Sequence, residues 1–228
     1  MKALAIDTSL TRITICAKNE DKVSYLVLDI GMKQSEKLLP SIEFILSQVE
    51  LKLEELDYTV LCKGPGSFTG LRLAFSCLKA IELSHNIPVY GVSTLEAYSF
   101  AYEDLLFPVI CAIDAKKNKF YSRISIGKET IVEDGDFEVE ELKEKILEID
   151  SDVFFVCGSD AKLFISKIQS ELKDKRFISL KGNPNETENL FTIAESMIEK
   201  KLPALQEFEG PVYIRASEAE ENLQKPSN

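Results

Sequence analysis

The stretch Thr59-Val60-Leu61-Cys62-Lys63-Gly64-Pro65-Gly66-Ser67-Phe68-Thr69-Gly70-Leu71-Arg72 decides how this chain reads. Thr59 to Cys62 is a short strand-like run, and an apolar helical stretch follows from Leu71 to Ser84. The loop between them carries glycine at positions 64, 66 and 70. Lacking a Cβ, glycine tolerates positive φ and lets another backbone come close. A loop that leads from a strand into a helix also gathers free N–H groups at the positive end of the helix dipole, which suits an anion. Ser67 or Thr69 can cap the helix. No lysine follows the last glycine, so this is not a Walker A loop. Two roles stay open: an anion cradle, or a tight turn that only reverses the chain.

Working outward, Ala3 to Asp7, Ile13 to Ala17 and Val23 to Asp29 read as strands. An amphipathic helix follows, with Leu38, Leu39, Ile42, Ile45, Leu46 and Val49 on one face. Pro40 is expected in its first turn, where its missing N–H costs nothing. After Thr59 to Cys62 and the helix Leu71 to Ser84 come a strand at Val89 to Val92 and a helix at Thr94 to Tyr102. The second half repeats the order: strands at Val109 to Asp114, Phe120 to Ile126 and Thr130 to Glu133, then helix Glu138 to Glu148 and strand Val153 to Cys157. Helix Ala161 to Leu172, strand Phe177 to Leu180 and helix Thr187 to Lys201 complete it. Each half reads βββαβαβα: an antiparallel meander, then strands added in parallel through helices. That is the element order of a ribonuclease H-like domain. Two copies predict an α/β, two-lobed actin-like fold with mixed sheets flanked by helices. The expected domains are 1–104 and 105–216, with a polar tail at 217–228. The first strand of each half ends in aspartate, Asp7 and Asp114. Kinases of this architecture turn those positions toward nucleotide phosphates, so Asp7, Thr8, Ser9 and Asp114 form a candidate, vestigial phosphate-facing set.

Composition narrows the chemistry. The 228 residues are 45% hydrophobic and 29% charged, as in globular proteins. No run of about 18 apolar residues could span a membrane, and Asp7 interrupts the first apolar run too early for a signal peptide. A cytoplasmic location is expected. The cysteines at 16, 62, 77, 111 and 157 are widely spaced inside apolar segments, which fits buried thiols rather than a zinc site. A net charge of −11 repels nucleic acid, and the run Lys116-Lys117-Asn118-Lys119 is short, so no direct nucleic-acid binding is expected. The single histidine, His85, stands where a helix ends before Pro88. One histidine cannot make a paired-histidine metal site, and a Ser-His-Asp triad would have to use this one.

At this point the residues resemble a known family. The stretch Gly64 to Arg72 is similar to the signature of the bacterial TsaB (YeaZ) family. Ala5-Ile6-Asp7-Thr8-Ser9 resembles its opening, and Ser35-Glu36-Lys37-Leu38-Leu39-Pro40-Ser41-Ile42 its first helix. Gly91 to Ala97, Asp114 to Tyr121 and Pro211-Val212-Tyr213-Ile214-Arg215 resemble later segments. The resemblance implies a non-catalytic subunit needed for threonylcarbamoyl transfer to adenosine 37 of ANN-decoding tRNAs. It implies pairing with the catalytic subunit TsaD, which holds metal through a histidine pair, together with the ATPase TsaE, and a homodimer when alone. No cofactor of its own is implied beyond weak or vestigial nucleotide binding. Two positions depart from the family pattern: Gln34 replaces a frequent histidine, and Ala74 a frequent glycine.

The helices suggest where a partner would bind. Leu71 to Ser84 is apolar on more than one side, and Leu73, Cys77, Ala80 and Ser84 form a second row of modest side chains. Phe44 stands off the main stripe of the first helix, beside Leu38 and Ile42. These seven residues are the expected partner surface. In that reading the glycine loop sets the start of the second helix, with Arg72 reaching a carboxylate. The competing readings are an actin-fold small-molecule kinase, with Asp7 and Asp114 as candidate acids, and the peptidase (glycoprotease) once attached to this superfamily. The second lobe lacks a clear glycine-rich adenosine loop, and the lone His85 disfavours the peptidase.

Overall fold

The computed structural model describes residues 1–180 and 187–214. Alternating apolar runs form the first sheet. β1 (Lys2–Asp7), β2 (Ile13–Asn19) and β3 (Lys22–Leu28) make an antiparallel meander, and β4 (Tyr58–Cys62) and β5 (Val89–Val92) join in parallel, in the order β3-β2-β1-β4-β5. Leu4, Ile6, Ile13, Ile15 and Ala17 share one face of this sheet. They are covered by Leu38, Ile42, Ile45 and Leu46 of α1 (Gln34–Gln48) and by Ala74, Phe75, Leu78 and Ile81 of α2 (Phe68–His85). α3 (Thr94–Phe100) follows β5.

The second sheet repeats the plan. β6 (Val109–Lys116), β7 (Lys119–Ile126) and β8 (Glu129–Glu138) form the meander, and β9 (Val153–Cys157) and β10 (Arg176–Ile178) are parallel additions, in the order β10-β9-β6-β7-β8. Its core packs Ile110, Ala112, Phe120, Ile124 and Phe154 against Leu142 and Ile146 of α4 (Val139–Glu148) and Phe164 and Ile168 of α5 (Ala161–Ile168). The Phe120 and Phe164 rings meet edge to face, with centroids 5.2 Å apart.

The chain divides into Met1–Thr94 with Thr187–Asn228 as one unit, and Leu95–Glu186 as the other. This differs from the expected split at 104/105. α6 (Asn189–Glu199), the last helix of the second repeat, packs on β4, β5 and β1 of the first sheet. Phe191 meets Tyr58 edge to face at 6.5 Å, and Tyr58 meets Tyr90 in the same way at 6.0 Å. The buried Tyr58 hydroxyl donates to Glu195 at 3.0 Å, and Lys18 Nζ reaches the same carboxylate oxygen at 2.7 Å. Burial, then the Glu195 charge beside it, drives the Tyr58 hydroxyl's pKa upward, so it stays a donor. α6 thus covers the face of the first sheet opposite α1 and α2.

Other boundaries moved locally. β8 runs to Glu138 rather than Glu133, because it pairs with β7 as far as Lys119↔Glu138. Pro40 lies in the second turn of α1. It sits on the exposed side with Glu36, where water can take the carbonyl that loses a partner. Arg215 and the expected tail at 217–228 lie outside the described residues. We predict that Phe191→Ala lowers stability by about 3–5 kcal/mol in urea unfolding, with loss of the Tyr58 contact. A change under about 0.5 kcal/mol would deny that α6 is part of the first core.

Candidate functional site

The glycine loop is folded against the turn that ends β1. The Ser67 amide donates to the Ser9 carbonyl at 2.6 Å, and the Thr8 hydroxyl donates to the Gly70 carbonyl at 2.6 Å. A Cβ on Gly70 would overlap the Thr8 carbonyl oxygen, and one on Gly66 the Ser9 carbonyl. Gly64 holds φ +114, and a Cβ there would strike the Val212 carbonyl. All three glycines are therefore needed for backbone-on-backbone contact.

Of the two expected caps, Ser67 is the one used. Its hydroxyl accepts from the Gly70 amide at 3.3 Å, and α2 begins at Phe68, before the expected Leu71. The Leu71 amide bonds the Ser67 carbonyl at 2.9 Å, opening the helical ladder. At least three of the loop's amides, those of Ser67, Gly70 and Leu71, are thus satisfied within the protein. Asp7 is buried and accepts from the Ser9 amide at 2.8 Å, so it braces its own turn. Asp114 plays the same part in the second unit, accepting from the Lys116 amide at 2.9 Å and Nζ at 2.7 Å. Burial works against its charge, but the Lys116 contacts outweigh it and hold the carboxyl below its ordinary range.

Arg72 does not make the expected salt bridge. Its guanidinium lies 3.8 Å above the Phe68 ring, and Nε donates to the Tyr213 hydroxyl at 3.0 Å. Phe68 and Tyr213 are 4.9 Å apart, so the three form an exposed stack that ties the C-terminal segment to the start of α2. The same segment is held by the Val212 amide on the Lys63 carbonyl, 2.7 Å. Nothing in the sequence distance of 141 residues signals this pairing.

Past this clasp, α1 and α2 leave an open groove of about 410 Å³. It is lined by Leu38 and Leu39 of α1, Leu53, and Leu73, Cys77, Ala80, Ile81 and Ser84 of α2, with His85 at its end. Five of the seven expected partner residues meet here: Leu38, Leu73, Cys77, Ala80 and Ser84. The other two do not line it. Ile42 is buried in the core at 3% exposure, and Phe44 is half exposed on another side of α1. Sequence reading missed Leu39, assigned there to the core face but 65% exposed, and Leu53, which sits on a short helical turn with no periodicity to betray it. Burial pushes the Cys77 thiol up to about 11, so it lines the groove as a neutral, weakly reactive side chain.

The clasp has a direct test. Gly70→Ala should destabilise the chain by about 2–3 kcal/mol through forced displacement of the Thr8 turn, whereas Gly210→Ala, which meets nothing within 4 Å, should be neutral. Equal thermal melting of the two variants would show that the loop is not a close-contact element.

The family model for TsaD, tRNA N6-adenosine threonylcarbamoyltransferase, matches residues 31–222. The chain is 30% identical over 230 residues to the tRNA threonylcarbamoyladenosine biosynthesis protein TsaB of Bacillus subtilis, covering 96% of each chain. Among solved structures, YeaZ from Pseudomonas aeruginosa superposes with a TM-score of 0.74 at 21% identity, over 93% of this chain and 99% of that one. A Bacteroides thetaiotaomicron protein with an actin-like ATPase fold superposes at 0.50 and 13% identity, over 84% and 95%. The fold is the actin-like one read from the element order. With a relative matched along almost its whole length and the signature loop in place, the chain belongs to the TsaB (YeaZ) family, whose role lies in tRNA threonylcarbamoyladenosine biosynthesis.

Proposed function

We propose that this chain is a non-catalytic subunit of the threonylcarbamoyl transferase that modifies adenosine 37, and that it acts by docking its α1–α2 groove on a TsaD-like catalytic subunit. The observation that carries the reading is the groove itself. Leu39 is 65% exposed, beside a row of small side chains at Cys77, Ala80 and Ser84. Positions three and four apart share a helix face. Small groups along one row let a second helix approach within about 8–10 Å, and each leucine covered contributes about 1.5–3 kcal/mol at most. A TsaD-like helix pair is the natural counterpart, since the TsaD family model matches most of this chain and a related fold would offer a similar face.

In this reading the clasp sets the angle of α2, the groove binds the catalytic subunit, and a TsaE-like ATPase joins the complex. In the absence of the catalytic subunit a second copy of this chain takes the same face. With a net charge of −11 this chain leaves the tRNA to its partner. The reaction runs in the cytoplasm, with no cofactor held by this subunit.

Ala80→Arg tests the docking. A charged side chain in the middle of the row should weaken co-purification with the TsaD-like subunit by at least about tenfold, and should shift the isolated chain from dimer to monomer in light scattering. The helix content of the monomer should stay unchanged in circular dichroism, because Ala80 is exposed. Unaltered co-purification would refute this face as the docking surface.

A further inference from the structure

The duplicated fold contains a second groove whose counterpart is filled. In the first unit the edge strand β5 and the neighbouring helix α2 receive an extended segment of the chain's own C-terminal part. The Leu205 amide donates to the Val89 carbonyl at 2.8 Å, and Lys79 of α2 grips the Leu205 and Gln206 carbonyls, each at 2.9 Å. The Leu205 side chain packs onto Gly91, where a Cβ would stand 2.9 Å from it. An extended chain therefore caps this sheet edge through its backbone and one apolar side chain.

In the second unit the corresponding strand is β10 and the corresponding helix α5. Between them lies an open groove of about 480 Å³, lined by Lys162, Ile165 and Ser166 of α5 and by Arg176, Phe177, Ile178 and Ser179. Among the described residues β10 pairs on one side only, with β9. The Arg176 amide donates to the Asp152 carbonyl at 2.7 Å, so the alternation of the strand turns the Phe177 amide to the open side. The buried Phe177 ring stacks on Phe154 at 5.6 Å and pins the strand in place. Lys162 and Arg176 are exposed cations with no acidic partner among the described residues, and no acid lines the groove. The groove is thus cationic within a unit whose sequence is densely acidic from Glu129 to Asp150.

We propose that the α5–β10 groove binds an extended acidic peptide segment of a partner protein by strand addition. The open edge supplies the backbone hydrogen bonds; Ile165 and Lys162 lie on the α5 side of the strand, and Ile178 and Arg176, which alternate with the core-facing Phe177, on the other side, so a carboxylate on either side of the added segment meets one cation and an apolar side chain one isoleucine. An unpaired, basic-rimmed edge fits that class of ligand, and the first unit shows the mode with the chain's own segment. The inference stands apart from the docking of α1 and α2.

Fluorescence anisotropy on the full chain tests it with a labelled alternating Glu/Val hexapeptide. The probes beside it are its Lys/Val counterpart, a version N-methylated at alternate residues, and a single-stranded RNA oligomer. The Glu/Val peptide should bind, and Lys162→Glu and Arg176→Glu should each weaken it about tenfold. N-methylation should weaken it as much, and raised salt should lower affinity. Ala80→Arg should leave it unchanged. Failure of the Glu/Val peptide to bind, equal binding of the Lys/Val peptide, or indifference to N-methylation would overturn the proposal. Preferential binding of the RNA oligomer lost on the same charge reversals would overturn it too, in favour of a phosphate site.

Discussion

The contact on which this molecule depends is backbone against backbone: the loop carrying Gly66 and Gly70 pressed on the turn at Thr8 and Ser9. Side chains cannot mediate it, because any Cβ at either glycine would occupy the space of a carbonyl oxygen. The contact fixes where α2 starts, and Ser67 caps it there. With α2 fixed at its N-terminus and α1 seated on the meander, the distance between them at Ala80 and Leu39 is set. The groove follows from the clasp.

The loop amides that could receive a phosphate include those of Ser67, Gly70 and Leu71, and these bond the Ser9 carbonyl, the Ser67 hydroxyl and the Ser67 carbonyl. Asp7 bonds the Ser9 amide, closing the turn on itself. In this structure these helix-end amides and the Asp7 carboxylate bond to groups of the protein itself. What projects outward is apolar surface on α1 and α2 and the Arg72–Phe68–Tyr213 stack.

Much of this was legible from residues alone. Alternation in Ala3 to Asp7 and Ile13 to Ala17, and the 3.6-residue period after Leu38, are local signals, and both sheets are built as expected from a three-stranded antiparallel meander followed by two parallel strands. The row Leu73, Cys77, Ala80 and Ser84 was visible because a helix can bury only one broad stripe by itself. What escaped is non-local. α6 returns to the first sheet because Phe191 and Glu195 find Tyr58 and Lys18, a pairing across some 130 residues or more. Arg72 was expected to seek a carboxylate, but its neighbour in space is Tyr213, brought there by the Val212–Lys63 backbone bond. Leu39 and Ile42 belong to one apolar stripe in sequence, yet only Ile42 is covered by the sheet. The width of a stripe does not tell which of its edges is left open.

The most direct measurement of the account is the rate of threonylcarbamoyl transfer to tRNA by the purified TsaD-like subunit and TsaE-like ATPase, with and without this chain. The account predicts negligible product from the partners alone, none from this chain alone, and restoration at equimolar addition. Equal product without this chain, or product from this chain by itself, would contradict it.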